Sequence, residues 1–245
     1  MLNIVIPMAG LGSRFSKAGY SDPKPFIDVL GKPMISRVIN NLLPIGEHQF
    51  YFVCLREHLS SYPLEKLLKA SSPYVTVISL DKLSQGPACT VLAAKEYIDN
   101  ESPLMIANCD QFIDGGIADY LSHFETEKEI DGFLMTMKAN DPKWSFIRYE
   151  EDLVREVREK EVISDEATVG IYNFKRGRDF VSAAEEMIRR DIRVNNEFYV
   201  APTYNLLIED GKKIKFMNIG KRMWGLGTPL DLEQFKLNFQ TKEIG

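Results

Sequence analysis

Short apolar runs punctuate the first half of the chain: Ile4-Val5-Ile6, residues 50–55, residues 74–80 and Leu104–Ala107. Each is rich in Val, Ile, Phe or other large apolar residues and nearly continuous rather than alternating. That is the pattern of strands covered on both faces, as in a parallel sheet. Between them, helical patterns are predicted over residues 34–43, 59–69 and 88–98. Strand–helix–strand order predicts right-handed crossovers and an α/β, doubly wound, mostly parallel Rossmann-like sheet. The second half reads differently. Closely spaced strand candidates at residues 133–138, 146–149, 154–158 and 169–174 predict a smaller antiparallel part. Helices over 178–190 and 201–209, a strand over 214–219 and a helix over 230–239 follow. With no repeat, low-complexity stretch or linker, one continuous domain over 1–245 is expected.

Composition narrows the class. Of the 245 residues, 44% are hydrophobic and 27% charged, and the formal net charge is -5. A mildly acidic chain of this kind does not read as a nucleic-acid or membrane-surface binder, so any polyanion must meet a few cations gathered in a pocket. No apolar stretch approaches the roughly 20 residues needed to cross a bilayer. The N-terminus lacks the basic and apolar regions of a secretory signal. Cys54, Cys89 and Cys109 form no C-x-x-C pair, and Cys54 and Cys109, in or just after apolar runs, read as reduced core residues of a cytoplasmic protein. His48, His58 and His123 are too dispersed for structural zinc.

The chemistry concentrates where the first strand ends, in Pro7-Met8-Ala9-Gly10-Leu11-Gly12-Ser13-Arg14-Phe15. A Gly-rich turn at the carboxyl end of a parallel strand lets backbone N–H groups approach phosphate oxygens. Phe15 stands where a dinucleotide fingerprint wants its third glycine, and no G-x-x-x-x-G-K-[ST] occurs, so a dehydrogenase and a P-loop are disfavoured. The turn continues into Asp22-Pro23-Lys24-Pro25 and Gly31-Lys32-Pro33-Met34-Ile35.

These elements, in this order and spacing, closely resemble the N-terminal signature of the sugar-phosphate nucleotidyltransferases, G-x-G-x-R-(F/L), then P-K, then G-K-P-(M/L)-(I/L). The resemblance covers most of the chain, tightest over residues 3–35 and looser after 130. It implies a GT-A-like nucleotidyltransferase fold with a nucleotide-binding half at about 1–112 and an acceptor-binding half at about 113–245. The backbone from Met8 and Ala9 through Gly10, Leu11, Gly12 and Ser13 would wrap the nucleotide, with Arg14 on the β,γ-phosphates. Lys24 would reach the α-phosphate and the attacking phosphate. Gln85-Gly86-Pro87 resembles the turn that reads the base, and Asp110, following the strand Leu104–Ala107, resembles the family's Mg²⁺ ligand. In the second half, Lys160 in Val157-Arg158-Glu159-Lys160, Gly170 in Val169-Gly170-Ile171-Tyr172, and Glu197 resemble acceptor-binding elements. Arg14, Lys24 and Asp110 would be the catalytic set.

The implied reaction joins a nucleoside monophosphate from an NTP, a pyrimidine slightly favoured, to a phosphorylated small-molecule acceptor with release of pyrophosphate. A sugar phosphate is the leading acceptor, surface-polysaccharide synthesis a pathway by analogy only, and a homo-oligomer stays open. Two departures stand out. Gly225, in Trp224-Gly225-Leu226-Gly227-Thr228-Pro229, replaces the family's second metal-binding Asp, with Glu197 or Asp231 as substitutes the sequence cannot place. The chain also ends without the β-helix repeats of longer members. Three other readings remain: a cytidylyltransferase acting on a non-sugar phosphate, a glycosyltransferase (disfavoured because Asp110-Gln111-Phe112 is not D-x-D), and a non-catalytic nucleotide sensor.

Overall fold

The computed structural model describes residues 1–239. The chain opens on β1 (Leu2–Met8), helix α1 (Ser13–Lys17), a 3-10 turn at Lys24–Phe26, the hairpin β2 (Asp28–Val29) and β3 (Lys32–Pro33), and α2 (Met34–Asn41). Next come β4 (His48–Leu55), α3 (Arg56–Ser61), α4 (Leu64–Ser71), β5 (Val75–Leu80), α5 (Pro87–Leu92), α6 (Lys95–Ile98), β6 (Leu104–Ala107) and β7 (Gln111–Ile113). The second half adds α7 (Ala118–Thr126), β8 (Gly132–Lys138), β9 (Ser145–Glu150), β10 (Leu153–Glu159), β11 (Glu166–Phe174), α8 (Gly177–Arg189) and α9 (Thr203–Glu209). It closes with β12 (Ile214–Asn218), β13 (Met223–Gly225) and α10 (Pro229–Phe239).

One nine-stranded sheet runs through the molecule in the order β5-β4-β1-β6-β11-β8-β12-β10-β9. The first four strands are parallel, as their unbroken apolar runs predict. Beyond β6 the sheet is mixed: β11 runs antiparallel to both β6 and β8, β12 returns parallel to β8, and β10 is antiparallel to β12 and β9. The antiparallel pairs fall in the second half, where the closely spaced strands predict them. Links too short for a crossover helix, such as that between β9 and β10, can join only antiparallel neighbours. The antiparallel part continues the same sheet rather than forming a separate layer.

Apolar side chains on both faces of the strands explain the two cores. In β1, Ile4 and Ile6 enter one cluster with Val38 and Ile39 of α2, while Val5 enters the other with Ala88 and Val91 of α5. In β4, Phe50 and Phe52 divide from Tyr51 and Val53 in the same way. Helices therefore cover both faces, and the ligand-accessible edge is the carboxyl end of β1 and β6. Two predicted helices are each broken in two. The segment over 59–69 splits at Tyr62-Pro63, where proline cannot supply the N–H a continuous helix needs. The segment over 88–98 splits at Ala93-Ala94.

Candidate active site

β1 and β6 are parallel neighbours, so the loops leaving their carboxyl ends lie side by side. The first is the Gly-rich turn; the second carries Asn108-Cys109-Asp110. Between them Lys24 Nζ donates to Asp110 Oδ2 at 2.5 Å, with 18% and 24% of the two side chains exposed. Burial alone would lower the Lys24 pKa, but the Asp110 charge and hydrogen bond outweigh it and leave the ammonium above its ordinary range. Asp110 is also held through its backbone, whose carbonyl accepts from Leu226 N at 2.8 Å. That contact extends the ribbon in which β13 pairs with β7.

Two glycines of the Trp224–Thr228 segment each back onto a carboxylate. A Cβ on Gly227 would lie 2.6 Å from Asp110 Oδ2, and one on Gly225 would lie 3.3 Å from Asp231 Cγ. Asp231, from the first turn of α10, accepts from Thr228 Oγ1 at 2.7 Å and faces Lys143 Nζ at 3.6 Å. Asp231 thus stands beside position 225, where the resemblance leads one to expect a carboxylate.

The site consists of two adjoining cavities. One, of about 290 Å³, is lined by Met8, Ala9, Gly10, Gly12, Lys24 and Gly86. The other, of about 250 Å³, is lined by Arg14, Lys143, Lys160, Gly170, Tyr199 and Asp231. Pro87, Asn108 and Asp110 belong to both walls. Most residues singled out in the sequence are therefore gathered here. Five placements differ from expectation. Leu11 is 62% exposed and lines neither cavity, nor does Ser13, which starts α1. Gln85 turns its amide oxygen to Arg193 Nη2 at 2.7 Å and lines neither cavity. Arg14, expected beside the nucleotide phosphates, sits in the wall of the second cavity, and Glu197, expected beside the acceptor, sits in the wall of the first.

Charge in the second cavity is tied together. Lys160 Nζ donates to the Tyr199 hydroxyl and lies 4.4 Å from that ring's centre. Tyr199 in turn donates to Glu197 Oε2 at 2.5 Å. Burial, then the bond to Glu197, pushes the Tyr199 hydroxyl up, so it stays a neutral donor. Burial raises the Glu159 carboxyl despite the Ser145 hydroxyl bond and the Lys160 charge, which pull it down. Around Gly86 the turn is tied to the 197–200 segment: Phe198 N donates to Gln85 O at 2.9 Å, and Ala88 N donates to Phe198 O at 3.0 Å. Sequence reasoning missed Tyr199, Glu159 and Lys143, because nothing local marks a tyrosine or a strand-end glutamate as a cavity residue.

Among the described residues no group of three or more His, Cys, Asp or Glu is placed to hold a metal by itself. Asp110 and Asp231, two hard oxygen donors in one cavity wall, nonetheless suit Mg²⁺, which takes one or two carboxylates and completes its shell with phosphate oxygens and water.

The family model of the MobA-like NTP transferase domain matches residues 4–161. The chain is 25% identical over 182 residues to mannose-1-phosphate guanylyltransferase catalytic subunit beta of Danio rerio, covering 71% of this chain and 49% of that one. It is 27% identical over 143 residues to UTP–glucose-1-phosphate uridylyltransferase of Klebsiella pneumoniae, covering 50% of this chain and 48% of that one. The matches thus span about half the length of these curated relatives. The crystal structure of the nucleoside-diphosphate-sugar pyrophosphorylase from Vibrio cholerae RC9 shares the fold at a TM-score of 0.81, with 27% identity over 96% of this chain and 99% of that one. No helix among the described residues is long and apolar enough to cross a membrane. The mixed sheet, the carboxyl-edge site and the match over most of the first two-thirds of the chain agree: this protein has the GT-A-like nucleotidyltransferase fold and belongs to the MobA-like NTP transferase family.

Proposed function

We propose that the chain transfers a nucleoside monophosphate from an NTP to a sugar phosphate, giving a nucleoside-diphosphate sugar and pyrophosphate. The observation that carries this reading is the shared wall: a cavity beside the Gly-rich turn and a second one that holds Arg14, Lys143 and Lys160 meet at Asp110, with Lys24 beside it. An NTP whose phosphates lie along Ala9 to Gly12 would present its α-phosphorus at that wall. An acceptor phosphate drawn to Lys160 and Arg14 would face it from the other side.

The acceptor phosphate oxygen then forms a bond to the α-phosphorus while the bond to the pyrophosphate oxygen breaks. No protein nucleophile is required, so catalysis consists of positioning and charge stabilisation. Lys24 neutralises charge on the α-phosphate, and Lys160 with Arg14 offsets the acceptor's charge, without which two polyanions repel at a few Å. Mg²⁺, held by Asp110 with Asp231 as the second carboxylate, would supply further charge neutralisation on the NTP phosphates.

The relatives named for sugar 1-phosphates support a sugar phosphate as acceptor. They differ in base, one a guanylyl- and the other a uridylyltransferase, so they lend no weight to a pyrimidine. The test is pyrophosphate release with each of the four NTPs against a panel of phosphorylated acceptors in Mg²⁺. Release that needs both an NTP and a sugar phosphate is expected. Release with no acceptor in the panel despite tight NTP binding would replace this reading by a nucleotide sensor.

A further inference from the structure

Lys160 follows β10 directly and stands in the left-handed region at a φ of +57°, where a lysine is strained. Its N–H donates to Trp144 O at 3.0 Å, which fixes the backbone against the start of β9. That bond does not fix the four-carbon side chain, and an ammonium on so flexible a stem takes many positions unless something holds it. Here the Tyr199 hydroxyl holds it: Nζ donates to that oxygen and lies 4.4 Å from the ring centre. Among the described residues the ammonium forms no salt bridge with a carboxylate, so its charge is left to the second cavity, which it lines.

Tyr199 is delivered by a tightly held segment. Val194 and Glu197 exchange backbone bonds of 3.0 and 2.9 Å around Asn195 and Asn196, whose φ values are +48° and +64°. Two central residues at positive φ make a tight hairpin turn, and asparagine tolerates that conformation better than most residues. Beyond the turn Phe198 is buried, bonded through its backbone to Gln85 and Ala88, with the Arg193 guanidinium 4.0 Å from its ring centre. Glu197 and Tyr199, on either side of Phe198, meet each other: the hydroxyl donates to Glu197 Oε2 at 2.5 Å. A tyrosine hydroxyl has one proton to donate and lone pairs with which to accept. With that proton on Glu197, the oxygen is turned to Lys160. Glu197 lines the first cavity, and Tyr199 and Lys160 line the second, so these two bonds run from one wall to the other.

We propose that Tyr199 is a positioning residue: its hydroxyl holds the Lys160 ammonium in the wall of the second cavity, and Glu197, in the wall of the first, fixes which way that hydroxyl points. Glu197 therefore acts on the acceptor without touching it, through Tyr199 and then Lys160. A change in the wall of the first cavity is felt as a change in how the second holds a phosphate. This inference rests on the transferase reading above and deepens it.

The experiment compares wild type, Tyr199→Phe, Lys160→Ala, the double variant of these two, Glu197→Ala and Glu197→Gln. Pyrophosphate release with saturating NTP and a hexose 1-phosphate turned over by wild type gives the acceptor KM and kcat, and calorimetry gives NTP affinity. Tyr199→Phe keeps the ring and loses the hydroxyl, so the acceptor KM should rise about three- to tenfold, the worth of one hydrogen bond, with kcat and NTP affinity nearly unchanged. Added to Lys160→Ala, the same substitution should cost nothing further, because the group it positions is gone. Glu197→Ala should raise the acceptor KM to a similar degree, and Glu197→Gln, whose amide oxygen still accepts from the hydroxyl, should restore most of it. Losses that add in the double variant overturn the proposal, since Tyr199 would then act by another route. An acceptor KM unmoved in Glu197→Ala also overturns it, and does so even if Tyr199→Phe fails to fold. Both results leave the transferase reading intact. Absence of pyrophosphate release by wild type with every acceptor removes that reading, and this inference with it.

Discussion

Gly227 lies so close to Asp110 that a methyl group on it would stand 2.6 Å from the carboxylate oxygen that accepts from Lys24. The glycine therefore sets where that carboxylate can be. Gly227→Ala should force Asp110 aside and break its alignment with Lys24 while leaving the sheet untouched. A loss of about ten- to a hundredfold in kcat/KM is expected, from the worth of one charge-assisted contact. Steady-state kinetics beside a thermal melt checks this, and wild-type turnover would show that Asp110's position does not matter.

Lys24 and Asp110 neutralise one another before any ligand arrives, so removing either partner should have opposite effects on nucleotide binding. Lys24→Ala should weaken NTP binding and lower turnover by roughly tenfold to several hundredfold. Asp110→Asn should strengthen binding of metal-free NTP, because Lys24 is released and a carboxylate near the phosphates is gone, yet abolish Mg²⁺-dependent turnover. Calorimetry with and without Mg²⁺ separates the two. Parallel losses in both variants would contradict the pairing.

The same pair predicts a pH dependence. The Lys24 pKa is raised above the ordinary 10.5, so the folded state holds that proton more tightly than the unfolded chain. The stability this adds is fully present below pH 10.5 and is lost as pH rises through the folded-state value. In Asp110→Asn, burial acts without its counterweight and the lysine pKa falls, so this alkaline loss of stability should shrink, and it reverses to a gain with rising pH once the folded-state value drops below 10.5. Urea melts across the alkaline range measure it, and superimposable curves would refute it.

The parallel half was readable because β1 and β4 carry apolar side chains on both faces, and only a strand buried on both sides looks like that. The Gly-rich turn, Lys24 and Asp110 were readable because they form a spaced signature close to strand ends. Other parts left no local trace. The three-residue strands β7 and β13 pair across more than a hundred residues, and each is too short for any periodicity to show. Asp231 was recognised as a carboxylate in the right region, but only the fold brings it to the space beside Gly225. The family resemblance implies a nucleotide role for Arg14, whereas the five-residue helix α1 carries it into the wall of the second cavity. Side-chain direction at the end of a short helix is set by tertiary packing, which spacing does not report.

Gly86 packs against the backbone of Phe198. Its φ is +130°, and a Cβ there would lie 2.5 Å from Phe198 N and 2.6 Å from Phe198 O. Gly86→Ala should cost about 2–4 kcal/mol of stability, combining backbone strain with the displaced 197–200 segment. It should also weaken NTP and acceptor together. Denaturant unfolding and both Michaelis constants test this; a loss confined to one substrate would mean the turn serves only that side.

Lys160, bonded to Tyr199, which in turn donates to Glu197, is proposed to serve the acceptor. Lys160→Ala should raise the acceptor KM or lower turnover and leave NTP affinity nearly unchanged, because the lysine lines only the second cavity. Calorimetry of NTP binding to both forms decides, and an equal loss of NTP affinity would move Lys160 to the nucleotide.

The central claim is that two phosphates meet at Asp110 and become a diphosphate. Phosphorus NMR of a reaction containing the protein, Mg²⁺, an NTP and a hexose 1-phosphate observes that bond directly. The account predicts that the acceptor's phosphate-monoester signal is replaced by two coupled diphosphate signals, with pyrophosphate appearing in equal amount, and that Lys24→Ala suppresses both. An unchanged acceptor signal alongside NTP consumption, or no consumption with any base and any sugar phosphate, would contradict it.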